Sequence, residues 1–170
     1  MKESEMKFEV KDFSRVKERL EAIGARLIWK GMEETQYYDF RNGSLKDRGI
    51  SLRIRDRKKI IFITCKRDLK NGANTKNRDE FEITITDKKQ VEGILNCLDL
   101  VPKFFYKKRR EHWEINKNTH VELDELETGQ KFVEIEGSER NIIKFSKVLD
   151  VFDCPKSFKS YPEILKEKRK

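Results

Sequence analysis
The chain has 170 residues, enough for one domain with a real core, so its stability need not come from disulfides or a structural metal. Charged residues make up 41% of it against 36% hydrophobic, and the net charge is +8. That balance suits a disordered polyelectrolyte, but the apolar residues fall in periodic clusters rich in β-branched and aromatic members, which excludes disorder. Cys65, Cys97 and Cys154 are odd in number, far apart and without a C-x-x-C pair, which points to reduced thiols in a cytosolic protein. The most apolar run, 60–64, is far too short to span a bilayer, and no apolar leader follows Met1, so neither a membrane nor a secretory route is expected.

Residues 2–10 alternate, with Glu3, Glu5, Lys7 and Glu9 on one face and Met6, Phe8 and Val10 on the other, as a strand does. A helix follows, with Asp12 as its N-cap, Phe13, Val16, Leu20 and Ile23 as its apolar stripe and Gly24 as its stop. Strands are expected at about 27–32, 34–40, 50–56, 59–67 and 78–86, with the polar segment 71–77 as a mobile loop. A second helix fits 87–98, capped by Asp87 and striped by Val91, Ile94, Leu95 and Leu98. Strands return at 104–115, 119–126 and 131–137, with Thr128-Gly129 as a turn. A third helix fits 138–152, capped by Ser138 and burying Ile142, Phe145, Val148, Leu149 and Phe152. Residues 162–165 can begin a short helix, and the basic run 166–170 is expected to fray. No linker divides the chain, so 1–170 reads as a single domain.

The informative pattern is which charges share a strand face. Arg53 and Arg55 share one, as do Lys66 with Thr64, Arg78 with Glu80 and Glu82, Glu122 with Asp124, and Glu134 with Glu136. In 104–115, Lys108 and Arg110 lie together. An antiparallel sheet with one wet face accounts for any single strand. Taken together the strands pair like charges at i and i+2, which repel unless opposite charges or ions face them. A closed barrel supplies that arrangement, with charges inward and apolar faces outward under the helices. A charged lumen has to be hydrated or filled. A phosphate chain with a hard divalent cation satisfies both signs at once.

The motifs then resemble a known family. Glu3-Ser4-Glu5-Met6-Lys7 matches the E-x-E-x-K signature of CYTH proteins, the triphosphate tunnel enzymes. Gln36-Tyr37-Tyr38-Asp39, Leu52-Arg53-Ile54-Arg55, Thr64-Cys65-Lys66, Arg78-Asp79-Glu80-Phe81-Glu82 and Lys108-Arg109-Arg110-Glu111 resemble later family segments in the right order. Val121-Glu122-Leu123-Asp124 and Phe132-Val133-Glu134-Ile135-Glu136 resemble its closing strands. Lys107 with Arg109 is the alternative register to Lys108 with Arg110. The resemblance covers about 1–165 and implies an α+β fold, an eight-stranded antiparallel β-barrel with flanking helices. It implies phosphate binding by Lys7, Arg53, Arg55, Lys66, Lys108 and Arg110, and Mg²⁺ or Mn²⁺ held by Glu3, Glu5, Asp124, Glu134 and Glu136. Glu5, Lys7 and Lys66 take catalytic roles, and Arg78, Glu80 and Glu82 support them.

The expected activity is metal-dependent hydrolysis of tripolyphosphate, a nucleoside triphosphate or thiamine triphosphate. A CyaB-type class IV adenylyl cyclase uses the same grip and is the runner-up. The family's bacterial cyclases often carry a His-Phe pair just before E-x-E-x-K, where this chain has Met1 and Lys2. A non-catalytic triphosphate sensor is a third reading, disfavoured by the retained acids. Nucleic acid is not expected as a partner despite the net charge, because Tyr37, Tyr38 and Trp113 read as packing rather than base-stacking residues. His112 and His120 read as ordinary strand residues. A homodimer through the outer apolar strands is left open. P-loop and G-x-S-x-G motifs are missing, so those hydrolase classes have no support.

Overall fold
The computed structural model describes residues 2–58, 60–68 and 76–168. The fold is α+β and, among the described residues, has five helices and one nine-stranded antiparallel sheet in the order β5-β4-β3-β2-β6-β7-β8-β1-β9. The strands are β1 (Lys2–Val10), β2 (Arg26–Phe40), β3 (Ile50–Asp56), β4 (Ile61–Asp68), β5 (Lys76–Ile85), β6 (Leu100–Asn116), β7 (Thr119–Leu126), β8 (Lys131–Glu136) and β9 (Lys156–Ser157). The helices are α1 (Ser14–Ala22), α2 (Ser44–Asp47), α3 (Lys88–Cys97), α4 (Glu139–Val148) and α5 (Tyr161–Lys168). The eight long strands match the number that the family resemblance implies, one fewer than the nine segments expected along the chain, and β9 adds a two-residue ninth. Among the described residues no helix is long and apolar enough to cross a membrane.

The chain forms two compact units. The first holds 32–58, 60–68 and 78–107. Its core is Tyr38, Ile54, Leu95 and Leu100, packed by Leu52, Ile61, Ile63, Ile85 and Val91. The expected strands 27–32 and 34–40 are one continuous strand, β2. Glu33, between them, is 1% exposed and accepts a hydrogen bond from Arg57 Nε at 2.8 Å, so a buried ion pair carries the strand through. Of the expected loop, 71–75 lies outside the described residues, and β5 already begins at Lys76; Lys59, placed in a strand by the sequence, also lies outside them. Asp87 caps α3 by accepting from Gln90 N. The α3 stripe is narrower than expected: Val91 and Leu95, one turn apart, pack inward, while Ile94 and Leu98 are exposed on the adjoining face.

Asp39 ends β2 and organises the turn into α2. Its Oδ1 accepts from Phe40 N at 2.7 Å and Leu45 N at 2.9 Å, and its Oδ2 from Lys46 N at 3.1 Å. The carboxylate is thus committed to the backbone. Asp39→Ala is expected to lower stability by about 2–3 kcal/mol, the range for losing charge-assisted hydrogen bonds. Urea denaturation checks this; an unchanged midpoint would refute it.

The second unit holds 3–31, 76–77 and 108–168. Phe8, Val16, Leu20, Trp113, Val121, Leu123, Val133, Ile135, Ile142 and Leu149 form its core, where the apolar faces of four strands meet α1 and α4. The cap of α1 differs from the expected one: the capping residue is Phe13, and Asp12 instead accepts from Ser14 N at 2.9 Å. Ile23, expected in the stripe, lies beyond the helix end and is 39% exposed. Gly24 at φ 73° closes α1, with Gly24 N bonded to Glu21 O and Ala25 N to Leu20 O. α4 starts at the expected Ser138 cap but ends at Val148, short of 152. Asp150 takes φ 61° there, and Val151 N returns to Ser146 O, which turns the chain and leaves Phe152 only half-buried.

The tail is more ordered than expected. The Glu163 side chain reaches back to the start of the helix, with Ser160 N and Oγ both donating to Glu163 Oε2 at 2.8 Å, and α5 runs on through residues 166–168. Residues 169–170 lie outside the described residues.

Candidate functional site
In the second unit the strand period places Lys108 and Arg110 of β6, Glu122 and Asp124 of β7, Glu134 of β8 and Lys7 of β1 on one face. Lys7, Lys108, Arg110, Asp124 and Glu134 are all buried, while Lys107 and Arg109 point to solvent. Arg110 is the hub. Its Nε donates to Asp124 Oδ1 at 2.6 Å and its Nη2 to Asp124 Oδ2, a bidentate pair. Nη2 also reaches Glu134 at 2.8 Å, and Nη1 lies 2.6 Å from Glu122. Lys108 Nζ sits 3.0 Å from Asp124, and Lys7 Nζ 3.1 Å from Glu134. Tyr161 of α5 donates from its hydroxyl to Asp124 Oδ2 at 2.6 Å.

Burial pushes the Glu122 carboxyl up, but Arg110, His112 and Lys108 outweigh it and hold it down at about 2. Burial likewise raises Glu134, and Lys7, Arg110 and Lys108 bring it well below the usual carboxylate range. Both are therefore carboxylates at neutral pH. Glu122, Asp124 and Glu134 each offer an oxygen within 4.8 Å of the others, a set of hard donors that can hold a metal ion. Glu5 and Glu136, cross-strand partners, are half-buried. Glu3 is in β1, but its side chain lies outside the described residues.

The first unit carries a second set. Cross-strand pairing sets Arg53 opposite Tyr37 and Thr64, Arg55 opposite Thr35, Thr64 opposite Glu82 and Lys66 opposite Glu80. Arg55 pairs tightly with Glu82, and its guanidinium lies 4.0 Å from both Glu33 and Glu80. Thr64 Oγ1 donates to Glu82 at 2.7 Å, and Lys66 lies 3.3 Å from Glu80. Burial raises the Glu82 carboxyl, and Arg55, Thr64 and Arg53 more than reverse it. Glu80 and Glu82 thus act as counter-ions to Arg55 and Lys66. Arg78 stands opposite Asp68. Among the described residues the buried Nε atoms of Arg53 and Arg55 have no hydrogen-bond partner, so two guanidinium donors remain to offer an anion.

Sequence reasoning left three contributors out. Glu122 shares a face with Asp124, which is signal enough to have joined it to the acids. Tyr161 lies inside the Ser-x-x-Glu capping signature of residues 160–163, which places it at the first turn of a helix. Glu33 sits amid apolar and acidic neighbours and gave no sign of burial. His112 and His120 stack at 5.2 Å, and His112 Nδ1 lies 3.4 Å from Glu122, so His112 touches the acidic set.

A curled antiparallel sheet that buries bases and carboxylates on its strand faces defines a phosphate-handling tunnel protein. The chain belongs to the CYTH family, whose domain model matches residues 1–164. A Methanocaldococcus jannaschii protein named "putative adenylate cyclase" is 29% identical over 150 residues, covering 88% of this chain and 85% of its own. A solved Vibrio parahaemolyticus structure with the same description superposes with a TM-score of 0.84 at 19% identity, covering 96% of this chain and 97% of that one. A Hippeastrum structure, titled a "putative adenylyl cyclase" with a dominant triphosphatase activity, gives a TM-score of 0.68 at 18% identity over 98% and 96% of the two chains. These likenesses show the tunnel fold.

Proposed function
We propose that the protein, over a single functional domain of 1–170, is a divalent-metal-dependent cytosolic enzyme that hydrolyses a small-molecule triphosphate. Tripolyphosphate, a nucleoside triphosphate and thiamine triphosphate are the candidate substrates. The observation that carries this reading is the buried set in which Lys7, Lys108 and Arg110 alternate with Glu122, Asp124 and Glu134. Bases alone suit a sensor, and acids alone suit a cation store. Interleaved, they suit a metal-bound phosphate chain.

In this reading Lys7, Lys108 and Arg110 neutralise phosphate oxygens and fix their orientation. Within the first unit, Arg53, Arg55 and Lys66 are side chains of the same phosphate-binding chemistry. Glu122, Asp124 and Glu134, with Glu3, Glu5 and Glu136, would hold Mg²⁺ or Mn²⁺. When bound, the ion adds charge neutralisation on the phosphate and lowers the pKa of a coordinated water. Phosphoryl transfer asks little covalent chemistry of the protein, so positioning and charge dominate. Each carboxylate here is already gripped by a base, so a phosphate that draws Lys7, Lys108 and Arg110 toward itself frees carboxylate oxygens for the metal.

The Hippeastrum relative's dominant triphosphatase activity favours hydrolysis, and the name of the Methanocaldococcus relative favours cyclisation. A product assay separates them: ATP, tripolyphosphate and thiamine triphosphate, each with Mg²⁺ or Mn²⁺. Metal-dependent orthophosphate release is expected. Cyclic AMP with pyrophosphate would move the assignment to the cyclase. Triphosphate binding without turnover would indicate a sensor, and neither binding nor turnover would overturn the reading.

A further inference from the structure
We propose that Tyr161 is a positioning residue that sets the two phosphate-gripping lysines of the second unit, Lys7 and Lys108; the inference rests on the triphosphate reading above. Lys7 Nζ lies 4.0 Å from the centroid of the Tyr161 ring, and Lys108 Nζ lies 4.6 Å from the same centroid. Two ammonium groups thus converge on one aromatic ring although they repel each other. A carboxylate placed there would hold them more strongly but would compete with phosphate for the same donors. An aromatic ring attracts both cations through its quadrupole without adding a further acceptor to those their N–H groups already reach, Lys159 O and Glu134 for Lys7 and Asp124 for Lys108.

The ring is itself held on several sides. Ser160 and Glu163 fix the start of α5, and Ile164 and Leu165 bury the helix. Phe132 meets the ring edge-on at 5.6 Å. The hydroxyl is tied to Asp124, the carboxylate that Lys108 and Arg110 share. The phenol O–H is the donor of that bond, so the hydroxyl orients Asp124. The same segment also holds Lys7 from its backbone: β9 pairs with β1 at Lys7–Ser157, and Lys7 Nζ donates to Lys159 O at 3.0 Å. The C-terminal segment therefore fixes where the Lys7 ammonium sits, and Tyr161 is the side chain by which it does so for Lys108.

The test compares Tyr161→Phe with Tyr161→Leu, reading tripolyphosphate binding by metal-free calorimetry beside thermal unfolding. Phenylalanine keeps the ring, so its Kd should stay within about twofold of the parent, whereas leucine should weaken binding roughly tenfold, the scale of a desolvated cation–π contact per lysine. A merely structural role predicts instead that both variants follow their loss of stability. Lysine ε-CH₂ resonances of the unsubstituted protein give a second readout that needs no variant. Two should be shifted upfield by the ring and move when tripolyphosphate is added. If the parent binds tripolyphosphate but leucine matches it, or if no shifted pair exists, Tyr161 is not the positioning group and the triphosphate reading stands. If the parent binds no triphosphate, both fall together.

Discussion
Arg110→Ala is expected to cost about 3–5 kcal/mol of folding stability, the scale for removing one partner from a buried ion network. The reason lies in what remains. Glu122, Asp124 and Glu134 keep oxygens within 4.8 Å of one another, and the guanidinium that bridged all three is gone. Lys7 and Lys108 still face Glu134 and Asp124, but Glu122 loses its main counter-charge. The pH dependence follows from the signs. In the parent, the folded Glu122 and Glu134 pKa values are depressed, so their contribution is present above the unfolded carboxylate pKa of about 4.3 and is lost as the pH falls through the folded values, about 2 for Glu122 and well below the usual carboxylate range for Glu134. In the variant, burial and mutual repulsion act with little opposition on Glu122 and raise its folded value. Mild acid then relieves strain instead of adding it. Urea denaturation at pH 7 and pH 5 should show the variant gaining stability on acidification while the parent does not. Millimolar Mg²⁺ or Mn²⁺ should recover part of the loss. Parallel pH profiles for the two proteins would mean that Arg110 is not the element that holds the acids together.

How far the sequence could be read depended on the period of each signal. Strands report their faces every second residue, so the like-charge pairs Arg53–Arg55 and Glu134–Glu136 announced a charged face. β3 and β7 were bounded correctly for the same reason. Period two alone leaves Lys107 with Arg109 as open as Lys108 with Arg110; it is the resemblance of Lys108-Arg109-Arg110-Glu111 to a family segment that singles out the second pair. Glu111 turns to the other face, where Lys17 and Lys30 meet it. Contacts between residues distant in sequence leave no such trace. The burial of Glu33 depends on Arg57, a β3–β4 neighbour. The α3 stripe was overdrawn because Ile94 and Leu98 are spaced as a buried face would be, yet only the Val91–Leu95 line meets the sheet. Tyr161 joins the site only because β9 lays the tail along β1, and a two-residue strand is too short to carry a pattern. The acids were legible as a class, and the shared β7 face of Glu122 and Asp124 is signal enough to join those two, but the pairing of Glu122 with Glu134 follows only once β7 and β8 are in register.

Glu134→Gln is expected to lower metal-dependent triphosphate turnover roughly 10²-fold, the cost of removing one well-placed charged group from a site that works by electrostatic stabilisation. The substitution keeps shape and one acceptor oxygen, so Lys7 and Arg110 retain a neutral partner and the fold should hold. Two consequences of the lost charge point in opposite directions. One hard donor is gone from the Glu122–Asp124–Glu134 set, so the concentration of Mg²⁺ or Mn²⁺ needed for half-maximal rate should rise. Lys7 and Arg110, no longer neutralised by Glu134, should bind tripolyphosphate at least as tightly as before when metal is absent. A variant that simply misfolds would lose both properties, which makes the opposed pair diagnostic. Glu111→Gln is the matched control, because Glu111 is a similarly buried carboxylate whose partners are Lys17 and Lys30. It should lose some stability and leave the metal dependence where it was. Steady-state orthophosphate release across a metal titration, metal-free calorimetry and urea denaturation measure turnover, metal requirement, affinity and stability in turn. Should Glu134→Gln reach the parent rate at saturating metal, Glu134 serves to orient Lys7 and Arg110, and the metal rests on the remaining carboxylates.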